Sequence, residues 1–433
     1  MRKNKIDIIS LGCSKNLVDS EHLIRQFQAN GYSVEHNPSR VDGEIVVVNT
    51  CGFIRDAQEE SIDMILELGR AKKEGKIKKL FVMGCLAERF MAQLIDELPE
   101  VDKFYGKFNW KEMLNDLGKS YKEDLSSERY LTTPKHYAYL KISEGCNRFC
   151  AFCAIPLITG RHKSVPMDTL LNEVKYLVSQ GVKEFNVIAQ DLSSYGLDLY
   201  GKMMLPELID QMAQIEGVEW IRLHYAYPTQ FPYDILPVMA KHDNVCKYLD
   251  IALQHSSDKV LNNMQRHITK AETIELIKRI RKEVPGIHIR TTLMVGFPGE
   301  GEEEFNDLVD FVEEMRFERM GAFAYSEEEG TFAAKHFDDI IPEDVKADRL
   351  DKIMEIQEEI SNEIQSKKVG NVYKVIIDSV DEMYYSGRTE WDSPEVDPEV
   401  LIHVENGKLE IGNFYQVEIT DATPFELFGK VVG

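Results

Sequence analysis

The chain has 433 residues, of which 43% are hydrophobic, and its formal net charge is -23. Such a length predicts two to four domains with ample buried core, and the acidic excess argues against a protein that grips nucleic acid through its phosphates. No signal peptide and no run of about 18 apolar residues is recognisable, so we expect a cytoplasmic protein without membrane association.

Residues 1–115 alternate short apolar runs with amphipathic segments. The apolar runs cover residues 6–11, 44–50 and 80–84, and a helical pattern follows each of them. Short apolar strands separated by helices are typical of a parallel sheet that is covered on both faces. We therefore predict an open parallel α/β domain at the amino terminus.

One cysteine stands just after each of these three strands: Cys13, Cys51 and Cys85. Ligands bind at the carboxyl ends of parallel strands, so these thiols are expected to meet there. Each has a glycine neighbour, and glycine lets the backbone approach a bulky cofactor closely. A lone cysteine is usually a buried structural residue, but three at equivalent strand ends favour a three-thiolate cluster.

Residues 116–136 are polar, weakly periodic and end near a proline, which predicts a linker. Residues 137–365 then repeat a pattern of strand, loop and helix six times and finish in a long amphipathic helix. Six such units predict an incomplete, TIM-like (β/α)6 barrel, whose ligands should lie on the loops after the strands.

The loop after the first barrel strand carries Cys146, Cys150 and Cys153. Three thiolates leave a four-coordinate metal with an open position, whereas a structural zinc site closes with four ligands. Seven cysteines in 433 residues without a leader sequence point to a reducing compartment rather than to disulfides. A 4Fe-4S cluster with one free iron fits the spacing, and a zinc knuckle closed by His162 is the alternative.

The run CNRFCAFC at residues 146–153 resembles the signature of the radical S-adenosylmethionine (SAM) enzymes, Cys-x3-Cys-x-aromatic-Cys, with Phe152 as the aromatic residue. The resemblance implies that SAM chelates the free iron. It also implies that the reduced cluster cleaves SAM to a 5′-deoxyadenosyl radical, so that the cofactors carry the chemistry and the protein positions them.

Three further stretches resemble the amino-terminal domain of the radical SAM methylthiotransferases: LGCSKNLVDSE at residues 11–21, VNTCGFI at 48–54 and MGCL at 83–86. Members of this family have two clusters, insert sulfur into a C-H bond and methylate it. The resemblance covers essentially the whole chain. It implies that Cys13, Cys51 and Cys85 hold a second 4Fe-4S cluster.

Polar residues also lie where ligands of such a barrel are expected. The resemblance implies SAM contacts for Phe152, Gln190, Gln254 and Arg290, although a polar residue at a strand end is often only a cap or a loop hydrogen bond. The sequence contains no convincing triad or carboxylate pair, and we predict no catalytic residue beyond the clusters.

Residues 366–433 carry five short strand patterns, at 372–380, 384–389, 400–404, 414–422 and 425–432, which predict a small OB-like β-barrel; the resembled family has a TRAM domain here. This segment has 6 Lys or Arg against 13 Asp or Glu. Its net charge of -7 opposes phosphate binding and favours a basic protein surface as partner.

The resembled family has two branches, one acting on a tRNA adenosine and the other on an aspartate of small-subunit ribosomal protein S12. The runs LGCSKN at residues 11–16 and GRTEWDSPEVD at 387–397 resemble the second branch. We therefore expect a transferase that methylthiolates the β-carbon of that aspartate with two SAM molecules, and no direct nucleic-acid readout. The alternative substrate is a tRNA adenosine, and the alternative from another functional class is a non-catalytic iron-sulfur carrier. The sulfur and electron donors are not assigned.

Overall fold

The computed structural model describes residues 2–432. Its amino-terminal part contains five strands, β1 (Arg2–Ser10), β2 (Ser33–His36), β3 (Gly43–Thr50), β4 (Lys79–Gly84) and β5 (Lys103–Phe104). It also contains four helices, α1 (Ser14–Ala29), α2 (Arg55–Lys73), α3 (Cys85–Glu97) and α4 (Trp110–Asp116). The strands form one parallel sheet in the order β2-β1-β3-β4-β5. This confirms the predicted open α/β domain and adds β2 and β5 at its edges.

The central strand β3 shows why helices cover both faces of this sheet. Ile45 and Val47 pack into an apolar cluster with residues of α1, whereas Val46 and Val48 pack into another with residues of α2. Successive side chains of a strand point to opposite faces, so an unbroken apolar run needs a helix on each side. Parallel pairing then brings the carboxyl ends of β1, β3 and β4 to one edge.

The central part contains six parallel strands in the order β13-β12-β11-β10-β9-β6. They are β6 (Tyr137–Lys141), β9 (Glu184–Ile188), β10 (Trp220–Ala226), β11 (Val245–Gln254), β12 (His288–Val295) and β13 (Arg319–Ala324). Two short strands, β7 (Ser143–Glu144) and β8 (Lys163–Ser164), pair antiparallel beside them. Among the described residues β6 and β13 do not pair, so the barrel is open, as predicted.

Ten helices accompany these strands within the described range. They are α5 (Ile155–Thr159), α6 (Met167–Ser179), α7 (Leu197–Tyr200), α8 (Leu205–Ala213), α9 (Ile235–Lys241), α10 (Asp258–Asn263), α11 (Lys270–Glu283), α12 (Glu302–Met315), α13 (Phe332–His336) and α14 (Glu343–Ser366). One face of each strand packs into the apolar cluster under the helices, as Phe185, Leu223 and Leu249 do. The alternate residues include the buried charged side chains of Glu184, Arg222 and Asp250, so the inner face of the barrel carries charge.

The carboxy-terminal part is a closed barrel in the order β14-β15-β16-β18-β17. Its strands are β14 (Val372–Val380), β15 (Tyr384–Arg388), β16 (Glu399–His403), β17 (Phe414–Ala422) and β18 (Glu426–Val431). These bounds agree with the five predicted strands to within a residue or two. The predicted small closed barrel is therefore confirmed.

The segment between β15 and β16 lies at the amino-terminal opening of the large barrel. Asp392 forms an ion pair with Arg319 at 2.5 Å. Asp397 accepts a hydrogen bond from the Tyr248 hydroxyl at 2.9 Å and pairs with Arg290. Part of the acidic charge that suggested a basic partner is therefore neutralised inside the chain.

The segment between α4 and β6 is held against both neighbours. It contains a 3₁₀ turn at Glu123–Leu125, and the fully buried Arg129 lies 3.4 Å from Glu21 and 3.2 Å from Glu173. The domain limits 1–115, 116–136, 137–365 and 366–433 stay predictions. No helix in the described range is long and apolar enough to cross a membrane.

Candidate active site

All six predicted ligand cysteines line a single cavity of about 340 Å³. It lies where the edge of the amino-terminal sheet faces the carboxyl ends of the barrel strands. The residues are Cys13, Cys51, Cys85, Cys146, Cys150 and Cys153, all present as free thiols. The seventh cysteine, Cys246, is buried beside Trp220 and Tyr248 and lines no part of this cavity.

Two apolar contacts hold the two cysteine sets face to face. Val18 of α1 packs against Tyr137 and Tyr139 of the edge strand β6. Cys85, at the start of α3, packs against Ala154 and Ile158 in and beside α5. The fold therefore brings together residues that lie up to 140 positions apart, from Cys13 to Cys153.

Glycines let the three amino-terminal cysteine loops approach one another. A side chain at Gly12 would place its Cβ 2.7 Å from the Cβ of Cys51, and one at Gly52 would place it 2.6 Å from the backbone N of Leu86. We expected these glycines to make room for a cofactor. The contacts are instead between the loops themselves, so each glycine sets the distance between two cysteines.

The three amino-terminal thiols have different electrostatic surroundings. Cys13 is the N-cap of α1, and although desolvation opposes ionisation, Lys15, the Asn16 N-H and Lys107 lower its pKa. Burial raises the pKa of Cys51, and it raises the pKa of Cys85 to about 12. A cation is therefore needed to hold all three as thiolates, which is what bound iron provides.

The second set lies on the loop after β6. The Cys150 Sγ is 3.2 Å from Nη1 of Arg266 and 3.4 Å from the Tyr227 hydroxyl. Burial raises the pKa of Cys146 to about 12 and raises that of Cys153 as well. These thiols too need a metal to stay ionised at neutral pH.

The sulfur separations disfavour a single zinc ion at either set. Tetrahedral zinc with Zn-S bonds of about 2.3 Å places its sulfurs roughly 3.8 Å apart. Within residues 2–432, none of these cysteines belongs to a group of three ligand atoms within 4.8 Å of one another. His162, the proposed fourth zinc ligand, lines a neighbouring pocket, where its Nε2 lies 3.1 Å from the Ser164 hydroxyl. The wider spacing fits a polynuclear cluster.

Three of the four predicted SAM residues line the cavity: Phe152, Gln190 and Gln254. The Oε1 atoms of Gln190 and Gln254 are buried and have no hydrogen-bond partner among residues 2–432. Such unpaired acceptors suit donors like the ammonium and ribose hydroxyls of SAM, because buried polar groups are otherwise satisfied. The cavity and these acceptors thus fit SAM.

Arg290 is not part of this cavity, which corrects the expectation for that residue. It is the third residue of β12, near the amino end of the strand, and it pairs with Asp397 at the opposite opening of the barrel. Every second residue of these strands faces the polar interior. Only those near the carboxyl end reach the cysteines.

Several charged residues at the site could not be identified from the sequence. Lys107 lies in a loop after β5, yet its buried Nζ lines the cavity, 3.2 Å from Asp19 and 3.6 Å from Glu144. Burial opposes its charge, but these two carboxylates raise the pKa of Lys107 well above its usual value. No local pattern marks this position, since its role depends on the packing of distant segments.

Two arginines enclose Tyr227 beside the second cysteine set. Arg148 and Arg266 lie 4.3 and 4.1 Å from the centre of its ring, and Arg148 also pairs with Asp191 at 2.7 Å. Burial opposes the charge of Arg266, yet Cys150 and Tyr227 raise its pKa. Permanent positive charge therefore lies beside the thiols that would carry a cluster.

Family models cover the three parts of the chain. Residues 5–106 match the model described as uncharacterized protein family UPF0004, residues 140–312 match the radical SAM superfamily, and residues 369–432 match the TRAM domain.

Several full-length relatives carry the name ribosomal protein uS12 methylthiotransferase RimO. The protein of this name from Parabacteroides distasonis is 64% identical over 432 residues, covering 100% of both chains. Those from Porphyromonas gingivalis and Flavobacterium johnsoniae are 60% and 51% identical, and the alignments cover at least 98% of each chain.

Solved structures share the fold at low identity. The radical SAM methyltransferase TsrM from Kitasatospora setae, with cobalamin and a [4Fe-4S] cluster bound, has a TM-score of 0.57 at 13% identity and covers 77% of each chain. The cobalamin-dependent SAM radical enzyme OxsB has a TM-score of 0.52 at 12% identity, over 81% of this chain and 56% of its own.

Proposed function

Because this chain belongs to the RimO family of ribosomal protein uS12 methylthiotransferases, within the radical SAM superfamily, we propose that it adds a methylthio group to the β-carbon of an aspartate in ribosomal protein uS12. The observation that carries the proposal is the single cavity lined by both cysteine sets. A sulfur source and a hydrogen-abstracting centre must act on one carbon atom, so they need a shared chamber.

The superfamily uses SAM and a 4Fe-4S cluster, and we assign that cluster to Cys146, Cys150 and Cys153. A second 4Fe-4S cluster on Cys13, Cys51 and Cys85 is our proposal, supported by the sulfur spacing and by the burial of Cys51 and Cys85. When bound, these groups supply the radical and the sulfur chemistry. Gln190 and Gln254 would bind SAM through their free amide oxygens, and Phe152 would pack against it.

The surrounding residues position and shield the reactants. Phe53, Phe152 and Ile155 contribute apolar surface to the cavity, which limits the access of water to a reactive site. Lys107 and Arg266 place positive charge near the two thiolate sets and so stabilise their negative charge in a medium of low dielectric constant. No side chain is required as a general acid or base.

The identity of the substrate rests on the family, since the full-length relatives from Parabacteroides distasonis, Porphyromonas gingivalis and Flavobacterium johnsoniae are all named for uS12. We place the reaction in the cytoplasm, where ribosomal proteins are assembled. The acidic overall charge of -23 suits a basic ribosomal protein. We propose no direct contact with nucleic acid, and the sulfur and electron donors stay open.

Mass spectrometry of a deletion strain tests the substrate. Ribosomal protein uS12 from that strain should lack a methylthio mass on one aspartate, and the wild-type gene should restore it. Restoration of a methylthio nucleoside in tRNA, with uS12 unchanged, would instead favour the adenosine reaction.

Cysteine variants separate an enzyme from an iron-sulfur carrier. Replacing Cys13, Cys51 and Cys85 with Ala should remove about four iron atoms, as expected for one 4Fe-4S cluster, and abolish methylthiolation while SAM cleavage persists. Replacing Cys146 should abolish SAM cleavage as well. A wild-type protein with all its iron that forms no 5′-deoxyadenosine on reduction with SAM would be a carrier.

A further inference from the structure

Four cations line the cavity, and three of them are already paired. Lys107 lies beside Asp19 and Glu144, and Arg148 beside Asp191. Arg266 donates to Cys150 Sγ and to a backbone carbonyl. The fourth, Lys15, forms no ion pair with any carboxylate of residues 2–432.

The Lys15 ammonium instead lies over an aromatic ring from the other side of the cavity. Its Nζ is 3.6 Å from the centre of the Tyr225 ring. Tyr225 lies in β10 between the buried His224 and Ala226, is 38% exposed and has a φ of +63°, a conformation that costs free energy in a residue with a side chain. In the described range its hydroxyl makes no hydrogen bond. The barrel thus holds this ring in the cavity wall at some cost.

Asp250, which contacts the backbone of Tyr225, does not act as an ion-pair partner of Lys15. Asp250 accepts a hydrogen bond from the backbone N-H of Tyr225 at 3.3 Å and makes no ion pair with Lys15. The half-buried Lys15 ammonium also lowers the pKa of the nearby Cys13 thiol, but it has no carboxylate partner in the described range and so keeps hydrogen-bond donors available. An anionic group that entered the cavity would find these donors and the Tyr225 hydroxyl together.

We propose that Lys15 and the Tyr225 hydroxyl bind the carboxylate of the substrate aspartate and so select it over uncharged side chains; this rests on the proposed function. The β-carbon is directly bonded to that carboxylate carbon, so a clamp on the carboxylate also orients the reacting C-H bond. Burying the carboxylate without a cation would be costly. A neutral asparagine gains much less from the ammonium.

The test uses full-length protein with its iron content restored and a uS12 peptide that contains the target aspartate. Peptide binding is measured by fluorescence anisotropy for wild type, K15M and K15R, against peptides with Asp or Asn at the target position. Lys111 is the matched control, because its Nζ lies 3.9 Å from the centre of the Tyr121 ring, outside the cavity. Iron content and peptide-independent 5′-deoxyadenosine formation are measured for each variant.

K15M should weaken binding of the Asp peptide by about 10- to 100-fold, the range expected for a hydrogen bond to a charged group. In wild type the Asn peptide should bind more weakly by a similar factor, and K15M should remove most of this preference, as a double-mutant cycle reports. K15R should keep part of it. K111M should change neither binding nor preference and should keep the iron content of wild type. K15M and K15R are compared with wild type at equal iron content, because Lys15 also lowers the pKa of Cys13.

Two results would overturn the role of Lys15. The first is that the wild-type enzyme methylthiolates the peptide, but K15M binds the peptide with unchanged affinity and unchanged preference for Asp. The other is a K15M variant that loses affinity for SAM and not for the peptide, which would assign the lysine to the cofactor. A wild-type enzyme that modifies no aspartate peptide would overturn the proposed function itself, so the two failures are distinguishable.

Discussion

The substitution Gly52→Ala tests how the amino-terminal cysteines are brought together, without removing any proposed ligand. Gly52 follows Cys51, and a methyl group there would lie 2.6 Å from the backbone N and 2.7 Å from the Cα of Leu86, which follows Cys85. Carbon atoms in contact prefer separations of about 3.5 to 4.0 Å. The two loops would have to move apart by roughly 1 Å.

That displacement is large for a metal site. Functional metal-ligand distances are held within about 0.2 Å, so the Cys51 and Cys85 sulfurs could no longer serve one cluster together. We expect iron content to fall from about eight to about four atoms per chain, as for the loss of one 4Fe-4S cluster. The overpacking should also lower the free energy of unfolding by about 1–3 kcal/mol.

The assay combines iron analysis, 5′-deoxyadenosine formation and methylthiolation of a uS12 peptide. G52A should still cleave SAM but should not methylthiolate the peptide. Gly321→Ala is the matched control, since no atom lies within 4 Å of the added methyl group, and it should behave as wild type. If G52A kept its full iron content and its methylthiolation activity, the close approach of these loops would not govern the second cluster.

Three further changes address the ligand set, the barrel interface and pH. C246A should leave iron content unchanged and lower the free energy of unfolding by about 1 to 2 kcal/mol; iron loss would mean that the six-cysteine assignment is incomplete. R319M removes the ion-pair partner of the buried Asp392 carboxylate and should lower the free energy of unfolding by about 3–5 kcal/mol in denaturant unfolding, whereas R316M, at an exposed pair with Glu363, should lower it by about 1 kcal/mol or less. Burial lowers the pKa of Lys368 to about 7, against about 10.4 in an unfolded chain. Between these two pH values the unfolded chain therefore binds one more proton at Lys368 than the folded chain does. The free energy of unfolding should therefore rise with pH over that window, and K368M should remove the rise; an unchanged slope would contradict this account.

The strands were predictable where hydrophobic patterns are long enough to be distinctive. The five strands of the carboxy-terminal barrel agree closely with their predicted bounds because alternation and turn residues mark each of them. β2 and β5 escaped prediction because they contain only four and two residues. Such short edge strands form through pairing with neighbours, which a single sequence does not display.

The residues of the site also divide into those that the sequence predicts and those that only the structure identifies. The six cysteines could be predicted as metal ligands from the sequence, since thiols at strand ends and at short spacings rarely form disulfides in a reducing compartment. Lys107, Arg266 and the contact between Lys15 and Tyr225 carry no local signature, because each depends on segments far apart in sequence. Arg290 was misassigned since strand position alone does not tell whether a polar residue faces the cysteines or the opposite opening.

The run at residues 387–397 contacts the large barrel through its acidic residues. The resemblance of this run to one branch of the family indicated the substrate but assigned no role to its residues. In the structure Asp392 and Asp397 of this run pair with Arg319 and Arg290 beneath the large barrel. Its acidic residues therefore attach the small barrel to the large one.

Isotope transfer tests the central claim most directly. The measurement uses wild-type enzyme, SAM, a reductant and a uS12 peptide with deuterium on the β-carbon of the target aspartate. We predict that the methylthiolated peptide loses one deuterium and that 5′-deoxyadenosine gains it, as read by tandem mass spectrometry. Formation of 5′-deoxyadenosine without deuterium, from a peptide that gains no methylthio group, would contradict the account.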